Sequence, residues 1–146
     1  MKKVLIVGGV AGGASAAARI RRLDEQARII MFEKGPHVSF SNCSLPYYLG
    51  GVVASKEKLV LMTPESFKTK YNIEARVNQE VIHIHRDEKT VEVKNLETNE
   101  VYKESYDVLI LSPGASPVVP PFEGVNLPHV FTVRNVVDID RLHQYV

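Results

Sequence analysis

The chain has 146 residues, of which 45% are hydrophobic and 24% charged, with a formal net charge of +1. This length allows one core. The near-neutral balance gives no footing for nucleic acid or an anionic membrane surface, and no apolar run reaches the roughly 20 residues of a membrane span. A single cysteine, Cys43, excludes an intrachain disulfide and suits a reducing cytoplasm, so its side chain is a free thiol, a ligand or a nucleophile.

Lys2 to Val7 is a short β-branched run ending in glycine, the pattern of a buried parallel strand. Gly8 to Gly13 predicts a turn, Ala14 to Asp24 a helix rich in Ala and Arg, and Ala27 to Glu33 a second strand. Met1 to Ala18 also has the composition of a secretory leader, but Arg19, Arg21 and Arg22 follow directly, and the glycines are spaced as in a phosphate loop. Lys34 to Ser44 reads as a loop, closed by a helical turn around Pro46 to Leu49 that Gly50 and Gly51 end. Thr63 as N-cap and Pro64 at the first position start a helix that runs to about Tyr71; Ser66 does not complete a capping box. Val81 to Ile84, Thr90 to Val93 and Val101 to Lys103 alternate apolar and polar residues. Turns at Arg86 to Lys89 and Asn95 to Asn99 link them, which predicts a three-stranded antiparallel meander. Asp107 to Leu111 is a further buried strand, stopped by Ser112-Pro113-Gly114. Pro117, Pro120, Pro121 and Pro128 make the next segment an extended connection, and Arg134 to Val146 forms a last helix. The fold class is α/β, a parallel Rossmann-like sheet with an inserted antiparallel meander.

Gly8-Gly9-Val10-Ala11-Gly12-Gly13 sits between a strand and a helix, the setting in which a glycine loop cradles a pyrophosphate. Gly8 permits the sharp turn, and Gly13 permits close packing of helix on strand. The loop departs from G-x-G-x-x-G at Val10. Glu33 ends the second strand twenty residues after Gly13, where a carboxylate can accept both ribose hydroxyls of an adenosine and repel a 2′-phosphate. The motif alone fits FAD and NAD alike, and also a glycine-rich turn with no ligand.

Ser39-Phe40-Ser41-Asn42-Cys43-Ser44-Leu45-Pro46-Tyr47-Tyr48 follows the ribose acid. In a doubly wound sheet this segment lies near the carboxyl ends of the strands, where ligands bind. Cys43 precedes the turn begun by Pro46, whose partial positive charge favours the thiolate. Ser41, Asn42 and Ser44 are small and polar, so a bulky thiol partner can approach. The competing reading is a buried structural cysteine. His83 and His85 share a strand face, but no third ligand is evident, so no metal site is expected.

The glycine loop, the cysteine segment and the run from Ser105 to Ala115 together resemble the coenzyme A–disulfide reductases. These form part of the single-cysteine branch of the flavoprotein disulfide reductases. The resemblance runs through the whole chain, and the branch shares the Val10 departure. It implies bound FAD, with contacts from Gly8, Gly9, Val10, Ala11, Gly13, Glu33, Lys34, Asn42, Val81, Ser112, Pro113 and Gly114. It implies NADH or NADPH as electron donor at a site outside this chain. Coenzyme A is implied as substrate or as a mixed-disulfide adduct on the catalytic Cys43, faced by Ser15, Arg19, Arg22, Ser39 and Asn42, with Lys70 or Tyr71 near by. The implied cycle passes electrons from nicotinamide to flavin to the Cys43 mixed disulfide, leaving a thiolate for the next disulfide or persulfide.

Proteins of this branch are several-fold longer. Residues 1–146 are therefore expected to be the N-terminal segment of a discontinuous FAD-binding domain, lacking the NADH and dimerisation domains of a full-length homodimer. Two alternatives stand beside the coenzyme A reading. One is an NADH oxidase or peroxidase that cycles Cys43 through a sulfenic acid. The other is a non-catalytic dinucleotide-binding or redox-sensing module.

Overall fold

A computed structural model describes residues 1–146. In chain order the elements are β1 (Lys3–Val7), α1 (Ala11–Leu23), β2 (Arg28–Phe32), α2 (Leu45–Leu49), α3 (Pro64–Tyr71), β3 (Glu74–Arg76), β4 (Gln79–His85), β5 (Thr90–Asn95), β6 (Val101–Ser105), β7 (Val108–Leu111) and α4 (Val136–Tyr145). Two 3-10 turns, Asn42–Ser44 and Lys56–Leu59, flank α2. The chain forms two units: Met1–Ser39 with Met62–Pro113, and Phe40–Leu61 with Gly114–Val146.

In the first unit, four parallel strands pair in the order β3-β2-β1-β7, with Val4 opposite Ile29 and Val108. The antiparallel sheet β4-β5-β6 is the expected meander. β1 and β2 read as continuous apolar runs because both faces of their sheet are covered. Val4, Ile6, Ile29 and Met31 pack with Ala17 of α1 and Phe67 of α3. Leu5, Ile30 and Phe32 pack with Val91 and Val93 of β5. Each fully buried side chain of this kind contributes about 1.5–3 kcal/mol.

Three features differ from the sequence reading. α1 begins at Ala11, so Gly12 and Gly13 lie in its first turn rather than in the preceding loop. The packing is so close that a Cβ at Gly13 would stand 1.8 Å from the Gly8 carbonyl oxygen. β3 was not expected, because Glu-Ala-Arg carries no apolar pattern. Its pairing with β2 is supported by Arg76, which lies over the Phe32 ring and pairs with Glu74 and Glu104. α4 starts at Val136 because Asn135 and Asp138 form a reciprocal capping box.

The second unit has its own core of Leu45, Leu59, Val136 and Ile139. Tyr48 of α2 stacks on His143 of α4, and Lys56 pairs with Asp140. The proline-rich segment after Gly114 forms no helix or strand before α4, as its composition implies.

Candidate functional site

Gly8 takes φ +96°, a left-handed conformation that glycine adopts without strain, and turns the chain from β1 toward α1. Val10 is the N-cap of α1 and offers no side-chain acceptor, and no acid sits in the first turn. The leading amides of α1 are thus left for an anion. Glu33 is held from two sides: Gly9 N–H donates to Oε2 and Gly35 N–H to Oε1, each at 2.8 Å. These bonds fix the carboxylate, and each oxygen keeps a further lone pair for a ribose hydroxyl.

Beside this carboxylate lies a crevice of about 120 Å3. Gly8, Glu33, Lys34, Val81 and Pro113 line it, so five of the residues marked for cofactor contact converge. Gln79 and Glu80 also line it and were not marked; they are polar residues at the start of β4, and nothing in their type distinguishes them. Ser112 is committed to the scaffold: its hydroxyl donates to the Val7 carbonyl at 3.2 Å, and its side chain lies against Gly12. Gly9, Val10, Ala11 and Gly13 belong to the turn and helix start but do not line the crevice. A fixed carboxylate, open helix amides and a narrow slot walled by Val7, Phe32, Val81 and Pro113 form a donor and acceptor set that fits an adenine dinucleotide.

A second groove, about 300 Å3, lies between α1 and α3. Ala14, Ser15, Ala18 and Arg22 form its α1 side, and Met62, Phe67 and Tyr71 form the side toward α3. Ser39 also borders it, in a left-handed conformation (φ +47°), with its N–H donating to the Gly9 carbonyl. Ser15, Arg22, Ser39 and Tyr71, all marked as substrate-facing, are therefore brought together. Arg19 is exposed on α1 but does not line the groove, and Lys70 does not either.

Cys43, Asn42 and Gly114 belong to the second unit. Cys43 lies inside the 3-10 turn and is exposed, unlike a buried structural cysteine. Ser41 Oγ lies 3.3 Å from Cys43 Sγ and 2.8 Å from Ser44 Oγ. Hydrogen bonding to the Ser41 hydroxyl first, and to Ser44 next, holds the thiol below its ordinary pKa. The neighbouring hydroxyls thus lead the lowering, and the short helix expected after the cysteine, α2, begins at Leu45. Asn42 opens the turn, and its carbonyl accepts the Leu45 N–H. Gly114 takes φ +73°, and a Cβ there would meet the Arg134 guanidinium at 2.9 Å.

The His83 and His85 ring centroids lie 4.4 Å apart with the rings tilted by 54°, and His85 Nε2 lies 2.8 Å from Glu92 Oε1. No three His, Cys, Asp or Glu side chains gather in a metal-binding group. No helix is long and apolar enough to cross a membrane.

The chain matches the pyridine nucleotide-disulphide oxidoreductase family over residues 2–145. It is 46% identical to a coenzyme A disulfide reductase of Staphylococcus aureus (strain JH9), across the whole of this chain and 33% of that protein. It superposes on the reduced CoADR-RHD of Bacillus anthracis with a TM-score of 0.96 and 52% identity, covering 99% of this chain and 26% of that one. An NAD-dependent persulfide reductase from A. fulgidus aligns with a TM-score of 0.92 and 32% identity, over 97% of this chain and 27% of the other. The chain spans about a third of the length of the curated relatives it matches. With the α/β fold, the glycine turn and this match over nearly every residue, the chain belongs to the pyridine nucleotide-disulphide oxidoreductase family.

Proposed function

We propose that this chain carries the FAD site and the reactive thiol of an enzyme that reduces coenzyme A disulfide or coenzyme A persulfide at the expense of NADH or NADPH. One observation carries the reading: the single cysteine is exposed and hydrogen-bonded to a hydroxyl that favours its thiolate. The coenzyme A disulfide reductase relative and the persulfide reductase structure support the substrate class.

Gly8, Glu33, Lys34, Val81 and Pro113 would hold the adenosine half of the FAD, and the leading amides of α1 its pyrophosphate. When bound, the flavin supplies what side chains cannot: passage of two electrons from a reduced nicotinamide to a disulfide. The chain's own chemistry is thiol–disulfide exchange. The Cys43 thiolate attacks one sulfur of the substrate disulfide; a Cys43–coenzyme A bond forms, the substrate S–S bond breaks, and a coenzyme A thiolate leaves and takes a proton from solvent. Two-electron reduction of that mixed disulfide releases the second coenzyme A and restores the thiolate. One protein sulfur suffices because the substrate brings the other. A lowered thiol pKa helps in both directions, since Cys43 is attacking group and then leaving group.

The second groove suits the coenzyme A body. Arg22 offers a guanidinium for phosphate, Ser15 a hydroxyl, and Met62 and Phe67 an apolar wall. Only three residues separate Ser39 on that groove from Cys43 in sequence. The working assembly is proposed to be a cytoplasmic homodimer acting on small-molecule thiols.

The test is mass spectrometry of the full-length enzyme that carries this chain, purified without reductant. The expected result is an adduct of coenzyme A mass on the Cys43 peptide, removed by dithiothreitol. A one-oxygen adduct alone would point to sulfenic acid cycling, and an unmodified peptide with no turnover would point to a non-catalytic module; either would overturn the reading.

A further inference from the structure

We infer that Arg21 is a positioning residue that sets the width of the groove lined by Arg22 and Tyr71. The inference rests on the coenzyme A reading of that groove. Arg19 and Arg22 of α1 are exposed, whereas Arg21 is half-buried. Its guanidinium donates only to backbone carbonyls. Nε donates to Tyr71 O at 2.7 Å, and Nη2 to Asn72 O at 3.0 Å and Ala27 O at 2.7 Å. Nη1 donates to Glu25 O at 2.6 Å and Asp24 O at 3.2 Å. The five contacts join three segments: the end of α1, the approach to β2 and the end of α3.

The geometry explains why an arginine stands here. α3 ends at Tyr71, and Asn72 caps it in the left-handed conformation, φ +48°. The carbonyls of a helix's last turn lack intrahelical donors and carry partial negative charge, so a cation aimed at them is favourable twice over. The planar guanidinium fork reaches several carbonyls at once, which the single ammonium of lysine cannot. Tyr71 and Phe67 are also the α3 wall of the groove, while the residue after Arg21, Arg22, stands on the α1 side. The same side chain that satisfies the end of α3 therefore fixes Tyr71 opposite Arg22. Arg21 lines neither the groove nor the crevice beside Glu33. Its effect is on substrate affinity, exerted through the spacing of two helices.

The experiment compares Arg21→Lys and Arg21→Gln with their parent in the flavin-loaded full-length enzyme that carries this chain, reading KM and kcat for coenzyme A disulfide, flavin content and the rate of Cys43 alkylation by iodoacetamide. Arg21→Lys is expected to raise KM roughly tenfold. It should leave kcat within about twofold and flavin content and alkylation unchanged, the pattern of lost uniform binding. If Arg21→Gln does not fold, the lysine variant carries the test. An unchanged KM in Arg21→Lys would overturn the inference. So would a joint fall of kcat, flavin content and alkylation, because Arg21 would then serve stability alone. Arg22→Ala separates the two levels. It should raise KM as well, and if it does not, the coenzyme A reading of the groove fails and the Arg21 inference falls with it.

Discussion

The Ser41 hydroxyl lies 3.3 Å from the Cys43 sulfur and 2.8 Å from the Ser44 hydroxyl, so the exposed thiol sits at the end of a short hydroxyl chain. A hydroxyl that donates to a thiolate stabilises the charged form and lowers the pKa. Because the thiolate is the reactive species, the lowered pKa keeps Cys43 reactive to lower pH than an ordinary cysteine. Ser41→Ala removes the donor. The pH of half-maximal alkylation should then move up toward the value of about 8.5 of an unperturbed thiol, and the rate at pH 7 should fall several-fold. A pH profile of iodoacetamide reaction reads this directly. An unchanged midpoint would show that the hydroxyl does not act on the sulfur.

Gly13→Ala tests the turn that positions α1. In an exposed helix this change stabilises by roughly 0.5–1 kcal/mol. Here the new methyl would stand 1.8 Å from the Gly8 carbonyl oxygen and close to the Ser112 hydroxyl. The Gly8 backbone cannot yield without opening the β1–α1 contact, so the steric cost outweighs the helix gain. The expected net loss is about 3 kcal/mol or more, with loss of nucleotide binding. Urea denaturation with a flavin-loading assay reads both.

Glu104 ties β6 to β1 and β3 by accepting from Lys3 and Arg76. Burial pushes its carboxyl up, but the two cations outweigh that and hold it below the ordinary carboxylate range. Its folded-state pKa therefore lies under the unfolded value of about 4.3. The stability it contributes is present above that value and is lost as pH falls through the folded pKa. Glu104→Gln should cost about 2 kcal/mol at pH 7. It should also flatten the fall in stability below about pH 4 relative to the parent. Denaturation midpoints at pH 7 and at acid pH check the sign.

The fold was legible where residue type and periodicity agree. β1 and β2 announce themselves as buried apolar runs, and the meander as alternation around polar turns; β7 forms where its apolar run lies but is not buried as expected, since Val108 and Leu111 are exposed. Glu33 and Gly8 were legible because a strand end and a sharp turn constrain residue type. β3 was hidden because its three residues, Glu-Ala-Arg, draw their stability from Arg76 contacts that no local pattern encodes. Gln79 and Arg21 were missed for the same reason: their partners, Tyr102 and the backbone carbonyls at the end of α3, come from distant elements. Arg19 shows the converse. The family resemblance placed it with Ser15 and Arg22, but the groove follows Ser15, Ala18 and Arg22 and leaves Arg19 outside.

Replacement of the one sulfur nucleophile addresses the central claim most directly. In the flavin-loaded full-length enzyme that carries this chain, Cys43→Ser should retain flavin while reduction of coenzyme A disulfide by NADH or NADPH falls by about a thousandfold or more. Undiminished turnover in that variant would contradict the account, because the substrate disulfide would then be reduced without passing through Cys43.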